Sequence, residues 1–310
     1  MSIEYKNINS NIFLGDLMKK IKIIAPSSYV PGLKWEQLEK VSDLFKKFEY
    51  NFNYGKYLFE KKYFLAGSDS ERLADLMNAF LDKKTDVIMV LRGGAGSLHL
   101  LDKIDYKVLS KNKKPFFGFS DSTALQNAFY KKAELPSFSG FWLRDAFDGL
   151  SALTKKTLVR CLKNEPQTYK VPFLSEGKAS GILLGGNMRG FVSLLGTPYF
   201  PDMTDKILIL EEVGEAPYQL DNMFMQLRLA GVFDKIKGLI LGDFSRVGTP
   251  KDEKMLNDMI KEYFSDMPYP VARFKKYSHE KDHVVIPFGG MVHLDSKKRI
   301  ISLDKLKKIK

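Results

Sequence analysis

The stretch Asp86-Val87-Ile88-Met89-Val90-Leu91-Arg92-Gly93-Gly94-Ala95-Gly96 decides how this chain is built. Its first half is a continuous apolar run without polar alternation. A strand has that pattern when both faces of its sheet are covered, as in a parallel sheet. Its second half is a turn whose glycines permit left-handed dihedrals and close backbone approach. Upstream, Lys20 to Ala25 reads as a strand stopped by Pro26-Ser27-Ser28. Trp35, Leu38, Val41, Leu44, Phe45 and Phe48 then recur at helical spacing. Ser68-Asp69-Ser70-Glu71 opens a second helix, with acidic groups near the positive end of its dipole. Downstream, Pro115 to Phe119 is a short strand, followed by Ser120 and a helix carrying Ala124, Leu125, Ala128 and Phe129. Strands that alternate with helices predict a doubly wound parallel sheet.

Past Pro166 and Pro172 the pattern changes. Short strands are expected at Gly181 to Leu184, Lys206 to Leu210 and Leu239 to Leu241, with late ones at Val284 to Ile286 and Arg299 to Leu303. One helix, about Leu220 to Ala230, stops at Gly231, a natural left-handed cap. The expected fold class is therefore α/β, with an N-terminal doubly wound parallel-sheet domain and a smaller strand-rich C-terminal domain. The boundaries are a Rossmann-like domain over 1–165, a linker over 166–178 and a β-rich domain over 179–310.

Composition narrows the function. Of the 310 residues, 44% are hydrophobic and 28% charged, the profile of a folded globular protein with a large core. The single cysteine, Cys161, excludes an intramolecular disulfide framework and a cysteine-built zinc or iron–sulfur centre. It reads as helix packing. Apolar runs are strand length, far below the ~20 residues that span a bilayer. The opening residues lack a basic region followed by an apolar one, so no secretion signal is expected. A cytoplasmic protein with no membrane partner is predicted. The 49 Lys and Arg against 37 Asp and Glu give a net charge of +12. That excess draws anions, yet a lysine-rich solvated surface explains it equally well. The basic residues are dispersed and match no nucleic-acid motif, so no nucleic-acid partner is expected. Lys305 to Lys310 reads as a solvated basic tail.

The chain has four histidines. His99, in an apolar stretch after the glycine turn, reads as a satisfied helical histidine, and His293, ahead of a polar turn, as a strand residue. His279 and His283 have a spacing that suits a metal on a helix. Ser278 to Asp282 is a polar loop, however, and neither an HExxH pattern nor a cysteine accompanies it, so no metal is expected. A loop histidine before a strand also suits a general base. Ser120 sits where a strand turns into a helix, among unpaired backbone N–H groups. Gly118-Phe119-Ser120-Asp121-Ser122 lacks the second glycine of the G-x-S-x-G elbow, so Ser120 is either a nucleophile or a helix cap. The turn Arg92 to Gly96 is neither a Walker loop nor GxGxxG, which leaves an anion-binding turn or a plain one. Glu211 and Glu212 end the strand Ile207-Leu208-Ile209-Leu210, where a carboxylate either orients a catalytic base or is simply solvated.

These pieces stand in a recognisable order from Ile23 to about Leu303. They are Ala25-Pro26-Ser27, Ala66-Gly67-Ser68-Asp69 with Arg72 and Asp75, the Arg92 to Gly96 turn and Gly118 to Asp121. Then come Gly185-Gly186-Asn187, Gly196 to Asp202, Leu210 to Glu215 with Pro217-Tyr218 and Asp221, and His279 ahead of Pro287-Phe288-Gly289. In number and order they resemble the LD-carboxypeptidases, a serine peptidase family that also contains the microcin C immunity peptidases. The resemblance implies Ser120 as nucleophile, His279 as general base and Glu211 as the acid that orients it, with the site between the two domains. It implies an oxyanion hole from backbone N–H groups of Gly93, Gly94 and Asp121, and no metal or organic cofactor. Arg92, Asn187 and Arg189 are candidates for substrate binding, Arg189 for a substrate carboxylate.

The implied reaction is hydrolysis of the amide between an L-configured centre and a terminal D-amino acid. In the family this releases D-alanine from murein tetrapeptides during peptidoglycan recycling, and the resemblance implies a homodimer. Four positions depart from the pattern. Ala95 stands where Tyr is frequent, Ser278 where Gly precedes the histidine, Ser139-Gly140 where a His-Gly pair is usual, and Glu212 where Asp is usual. Two other readings compete. One is an immunity-type peptidase that cuts aminoacyl-nucleotide toxins, with Trp142 or Tyr199 as a nucleobase shelf. The other is a non-catalytic basic binding protein that keeps the fold.

Overall fold

A computed structural model of the chain describes residues 18–307. Residues 1–17, on which the reading of the opening segment rests, and 308–310 of the basic tail lie outside them. The first sheet contains β1 (Lys19–Ile24), β2 (Tyr50–Tyr54), β3 (Val87–Val90), β4 (Phe116–Gly118) and β5 (Ser137–Ser139). They stand in the order β2-β1-β3-β4-β5, all parallel. The unbroken apolar run of β3 has its expected cause. Val87 and Met89 join a core with Ile21, Ile23 and Phe117 on one face. Ile88 and Val90 join another with Ile24, Phe116 and Phe129 on the other. Strand order reverses between β1 and β3, and open α/β sheets bind ligands in the crevice at such a point, outside the carboxyl ends of the strands. The turns at that place are Pro26-Ser27-Ser28 and Arg92 to Gly96.

The second sheet has eight strands. They are β6 (Gln167–Lys170), β7 (Phe173–Ser175), β8 (Lys178–Asn187), β9 (Ile207–Val213), β10 (Gly238–Ser245) and β11 (Val271–Arg273), then β13 (Met291–Asp295) and β14 (Ile300–Leu303). The order is β6-β14-β13-β8-β9-β10-β11-β7. Its centre, β8 to β11, is parallel, and the flanking strands pair antiparallel. Among the described residues no helix is long and apolar enough to cross a membrane.

Two boundaries differ from expectation. The segment 166–178 is not a free linker, because β6 and β7 fall within it and form the two edges of the second sheet. Its prolines read as breaks, but each sits just outside a strand, where a missing N–H does no harm. The late strand β12 (Ile286–Phe288) does not stay in the second half. It pairs antiparallel with β5 and closes the first sheet. Alternation explains the move: Val285 packs with Leu158 and Cys161 on the first sheet, whereas Ile286 and Phe288 join the core of the second half. The Cys161 thiol, fully buried at 3.3 Å from the Val285 carbonyl, is pushed well above its ordinary pKa by desolvation.

This crossing depends on Gly140, which has φ +98° and would place a Cβ 2.3 Å from the Val284 carbonyl oxygen. Gly140→Ala combines that clash with backbone strain, and should destabilise the fold by about 2–4 kcal/mol. A thermal or urea melt indistinguishable from wild type would refute this account of the seam.

Candidate active site

β4 delivers Phe119 and Ser120 to the crevice. Gly118 is glycine because a Cβ there would come within 2.7 Å of Ser122 Cβ, where the helix Ser122–Ala133 folds over the strand end. Ser120 has φ +60°. A non-glycine residue in that region carries about 1–3 kcal/mol of strain and marks a position held for function. A sharp strained turn from strand to helix is what exposes a hydroxyl in a nucleophile elbow. Ser122 at the missing second glycine is accommodated, because it is fully buried in the first turn of the helix.

The glycine turn after β3 lies directly against this serine. A Cβ on Gly93 would stand 2.9 Å from Ser120 Cβ and 2.8 Å from the Trp142 ring. Gly94 has φ +107°, and a Cβ there would meet Ser28 Oγ at 2.4 Å. Two sets of bonds hold the turn. Ser97 N–H donates to the Asp121 carboxylate at 2.9 Å, and Ser97 Oγ donates to the Asp121 carbonyl at 2.7 Å. Arg72, its side chain wholly buried, donates to the carbonyls of Pro26 and Gly96 and to Asp69. The Arg72 guanidinium thus joins both crevice turns to the helix Asp69–Leu81. The sequence placed Arg72 in a motif without showing this role, because its partners are backbone carbonyls far away in the chain.

The second half supplies a histidine bonded to a buried carboxylate. Glu211, two residues before the end of β9 and completely buried, accepts from His279 Nδ1 at 2.8 Å. Asn187 Nδ2 donates to Glu211 at 3.3 Å and to Glu212 at 2.8 Å. Glu212 also accepts from the backbone N–H groups of Arg189 and Val213. Burial and the charge of Glu211 both push the Glu212 carboxyl above its ordinary pKa. For His279, burial by itself disfavours the charged imidazolium. The charge and hydrogen bond of Glu211, helped by Glu212 and Asp145, outweigh it and raise the pKa. Because the carboxylate accepts from Nδ1, the neutral ring keeps its lone pair on Nε2, which makes no hydrogen bond among the described residues. Phe119, next to Ser120 in the chain, brings the two sheets together: its ring centroid lies 4.4 Å from that of His279. Ser120 is the next residue in the chain, and among the described residues no hydrogen bond joins it to the imidazole, as is common before substrate draws such pairs together.

The candidate substrate contacts fare differently. Asn187 is 6% exposed, and its amide is fully engaged by the two glutamates and by Gly190 N–H, so it positions Glu211 and offers no free group to substrate. Arg189 is exposed but donates through its guanidinium to Glu215, which a substrate carboxylate would have to displace. Arg92 donates to the Tyr29 carbonyl at 2.7 Å and so braces the turn after β1. His279 and His283 face different acids, Glu211 and Asp145.

Comparison with known proteins agrees with this architecture. The family model for the LD-carboxypeptidase N-terminal domain matches residues 21–140, and that for the C-terminal domain matches 180–294. The chain belongs to the LD-carboxypeptidase family, and so to the carboxypeptidases. A probable murein peptide carboxypeptidase of Bacillus subtilis is 32% identical over 251 residues, 78% of this chain and 79% of that protein. The crystal structure of a muramoyltetrapeptide carboxypeptidase from Oxalobacter formigenes superposes with a TM-score of 0.82 at 31% identity, covering 93% of this chain and 99% of the other. The microcin C7 self-immunity protein MccF of Escherichia coli is 24% identical over 283 residues, 80% of this chain and 82% of that protein.

The electrostatics are directly measurable. In an NMR titration the His279 imidazole should titrate above 6.5 in the wild type. Glu211→Gln leaves burial largely unopposed and should lower the value by at least about one unit. An unchanged titration in that variant would show that Glu211 does not set the charge of the ring.

Proposed function

We propose that this carboxypeptidase is a serine enzyme that cleaves the amide between an L-configured centre and a terminal D-amino acid, releasing D-alanine from murein tetrapeptides. One observation carries the reading: the strained Ser120 at the end of β4 adjoins, through Phe119, an imidazole bonded to a buried carboxylate. The names of the two relatives about a third identical to the chain support the substrate class.

In this reading Ser120 Oγ attacks the scissile carbonyl carbon and His279 Nε2 takes its proton. Glu211 steadies the imidazolium. Backbone N–H groups of Gly93, Gly94 and Asp121 receive the oxyanion, each such donor lowering the barrier by roughly 3–4 kcal/mol. The intermediate collapses, the C–N bond breaks, and His279 hands its proton to the departing amine. Water then enters by the same route and hydrolyses the acyl-enzyme. The immunity-type reading is less well supported. Trp142 is packed against Phe119 and His279, and Tyr199 against Tyr106 and Lys132, so neither offers an open shelf for a base.

Mass spectrometry of a disaccharide tetrapeptide should show loss of one alanine with wild type, and Ser120→Ala should slow that loss by at least about a thousandfold. Turnover that survives in the variant would remove Ser120 as nucleophile. The pH dependence has a definite sign. The base must be neutral, and its pKa is raised, so kcat/KM should fall on acidification through a limb lying above pH 6.5. Glu211→Gln should carry that limb to lower pH while reducing the plateau. A limb that stays in place would assign the titration to another group.

A further inference from the structure

The glycine turn after β3 has two ends. Gly93 lies against Ser120, and at the other end a Cβ on Gly96 would stand 2.3 Å from the Leu65 side chain. Leu65 closes a two-residue hairpin: Lys62 N–H donates to the Leu65 carbonyl at 3.0 Å, and Leu65 N–H to the Lys62 carbonyl at 2.9 Å. Leu65 also pairs with Ser28, and Ala66 N–H donates to the Ser27 carbonyl, so the hairpin is fastened to the crevice turn after β1. Its tip is Tyr63-Phe64. Tyr63 has φ +56° at the first tip position, where glycine is the residue expected. A bulky side chain there is strained, and such strain persists where a position serves a function. The two residues are 78% and 56% exposed, and neither side chain makes a hydrogen bond or ring contact among the described residues.

Tyr63 and Phe64 line an open groove of about 740 Å³ together with Leu73 and the polar Asp69, His99 and Lys103. Asp69 lies 3.3 Å from His99 Nδ1 and accepts from Lys103 at 3.0 Å. Lys103 gives a second bond to the His99 carbonyl, so one ammonium hydrogen and His99 Nε2 are left for a ligand. Aromatic faces beside spare donors and acceptors suit a pyranose. Its C–H face packs on a ring while its hydroxyl and acetamido groups take the hydrogen bonds. A purely apolar partner would leave the polar groups desolvated and unpaired. The reach agrees as well. Three residues join the scissile carbonyl of a tetrapeptide to its amino end, at most about 10 Å of extended chain. Gly93 and Gly96 are also three residues apart, so a peptide cleaved at Ser120 is long enough to carry its amino end across the turn to this groove.

We propose that the Tyr63-Phe64 tip and its groove form a subsite for a sugar carried on the amino end of the peptide substrate. The proposal rests on the reading of the chain as a murein carboxypeptidase and concerns the part of the substrate farthest from the cleaved bond. Tyr63 and Phe64 offer their faces to the pyranose, and Asp69, His99 and Lys103 bond its polar groups. A second copy of this chain seated on the exposed rings is the competing occupant.

Two substrates test the subsite: a disaccharide tetrapeptide, and the same tetrapeptide with its amino end acetylated in place of the sugar. Wild type should show kcat/KM at least about fivefold higher for the glycosylated one. Glycine suits the positive φ, so Tyr63→Gly should melt no lower than wild type. A lower melt would remove the strain that marks the tip. In Tyr63→Gly and in Phe64→Ala the preference should shrink to about twofold or less. Wild-type indifference to the sugar, or full preference in either variant, would overturn the subsite. So would sedimentation in which Tyr63→Gly loses self-association while keeping the preference, which assigns the tip to a second copy. If wild type cleaves neither substrate, the carboxypeptidase reading fails and the subsite is judged by binding of the free disaccharide. Saturation-transfer NMR should then detect that disaccharide on wild type and not on Tyr63→Gly; equal or absent transfer overturns the proposal.

Discussion

The tilted contact of the Phe119 ring with His279 is the one on which the architecture of the site depends. Phe119 is 1% exposed and belongs to the core of the second half, although it is carried by a strand of the first. Its ring touches Trp142, Tyr277 and both His279 and His283. Driving that ring into the neighbouring core forces the chain to reverse sharply at the next residue. The left-handed backbone of Ser120 is the outcome. Burial of an aromatic ring, worth roughly 2–3 kcal/mol, offsets strain of similar size. Packing and chemistry are coupled here, because the force that joins the two sheets also aims the hydroxyl.

Around that contact the polar groups form two rigid brackets. On one side Arg72 and Asp121 fix the glycine turn through backbone partners. On the other, Asn187 and Glu212 fix Glu211, and Glu211 fixes His279. Each bracket consists of buried groups whose rotamers are set by neighbours, which is how a site holds its geometry before substrate arrives. The raised proton affinity of Glu212 beside Glu211 fits a shared arrangement in which Asn187 separates two carboxyl groups that would otherwise repel.

Much of this was legible in the sequence, for local reasons. The apolar run of β3, the glycine turn and the strand-Ser-helix junction announce themselves by composition and spacing, and the parallel first sheet followed from them. What stayed hidden was non-local. The strand 286–288 reads like any late strand, and nothing within it tells that its partner is Ser137–Ser139. The segment 166–178 reads as a linker because edge strands tolerate polar residues and flanking prolines. Asn187 looked like a free amide until its two buried partners were seen, and Asp145 carries no signal at all, since its meaning lies in an imidazole 138 positions further on.

The strand β12 has one more consequence, which concerns the order of events during synthesis. The first sheet is assembled almost wholly from residues before 140, yet its edge stays open until residue 288 is available to cover β5. A nascent chain emerging from the ribosome therefore holds its serine turn on an unfinished sheet until residue 288 has been made. The seam that completes the sheet lies just after His279, whose ring packs on Phe119 and bonds to Glu211, so joining the two sheets and setting these contacts are one event.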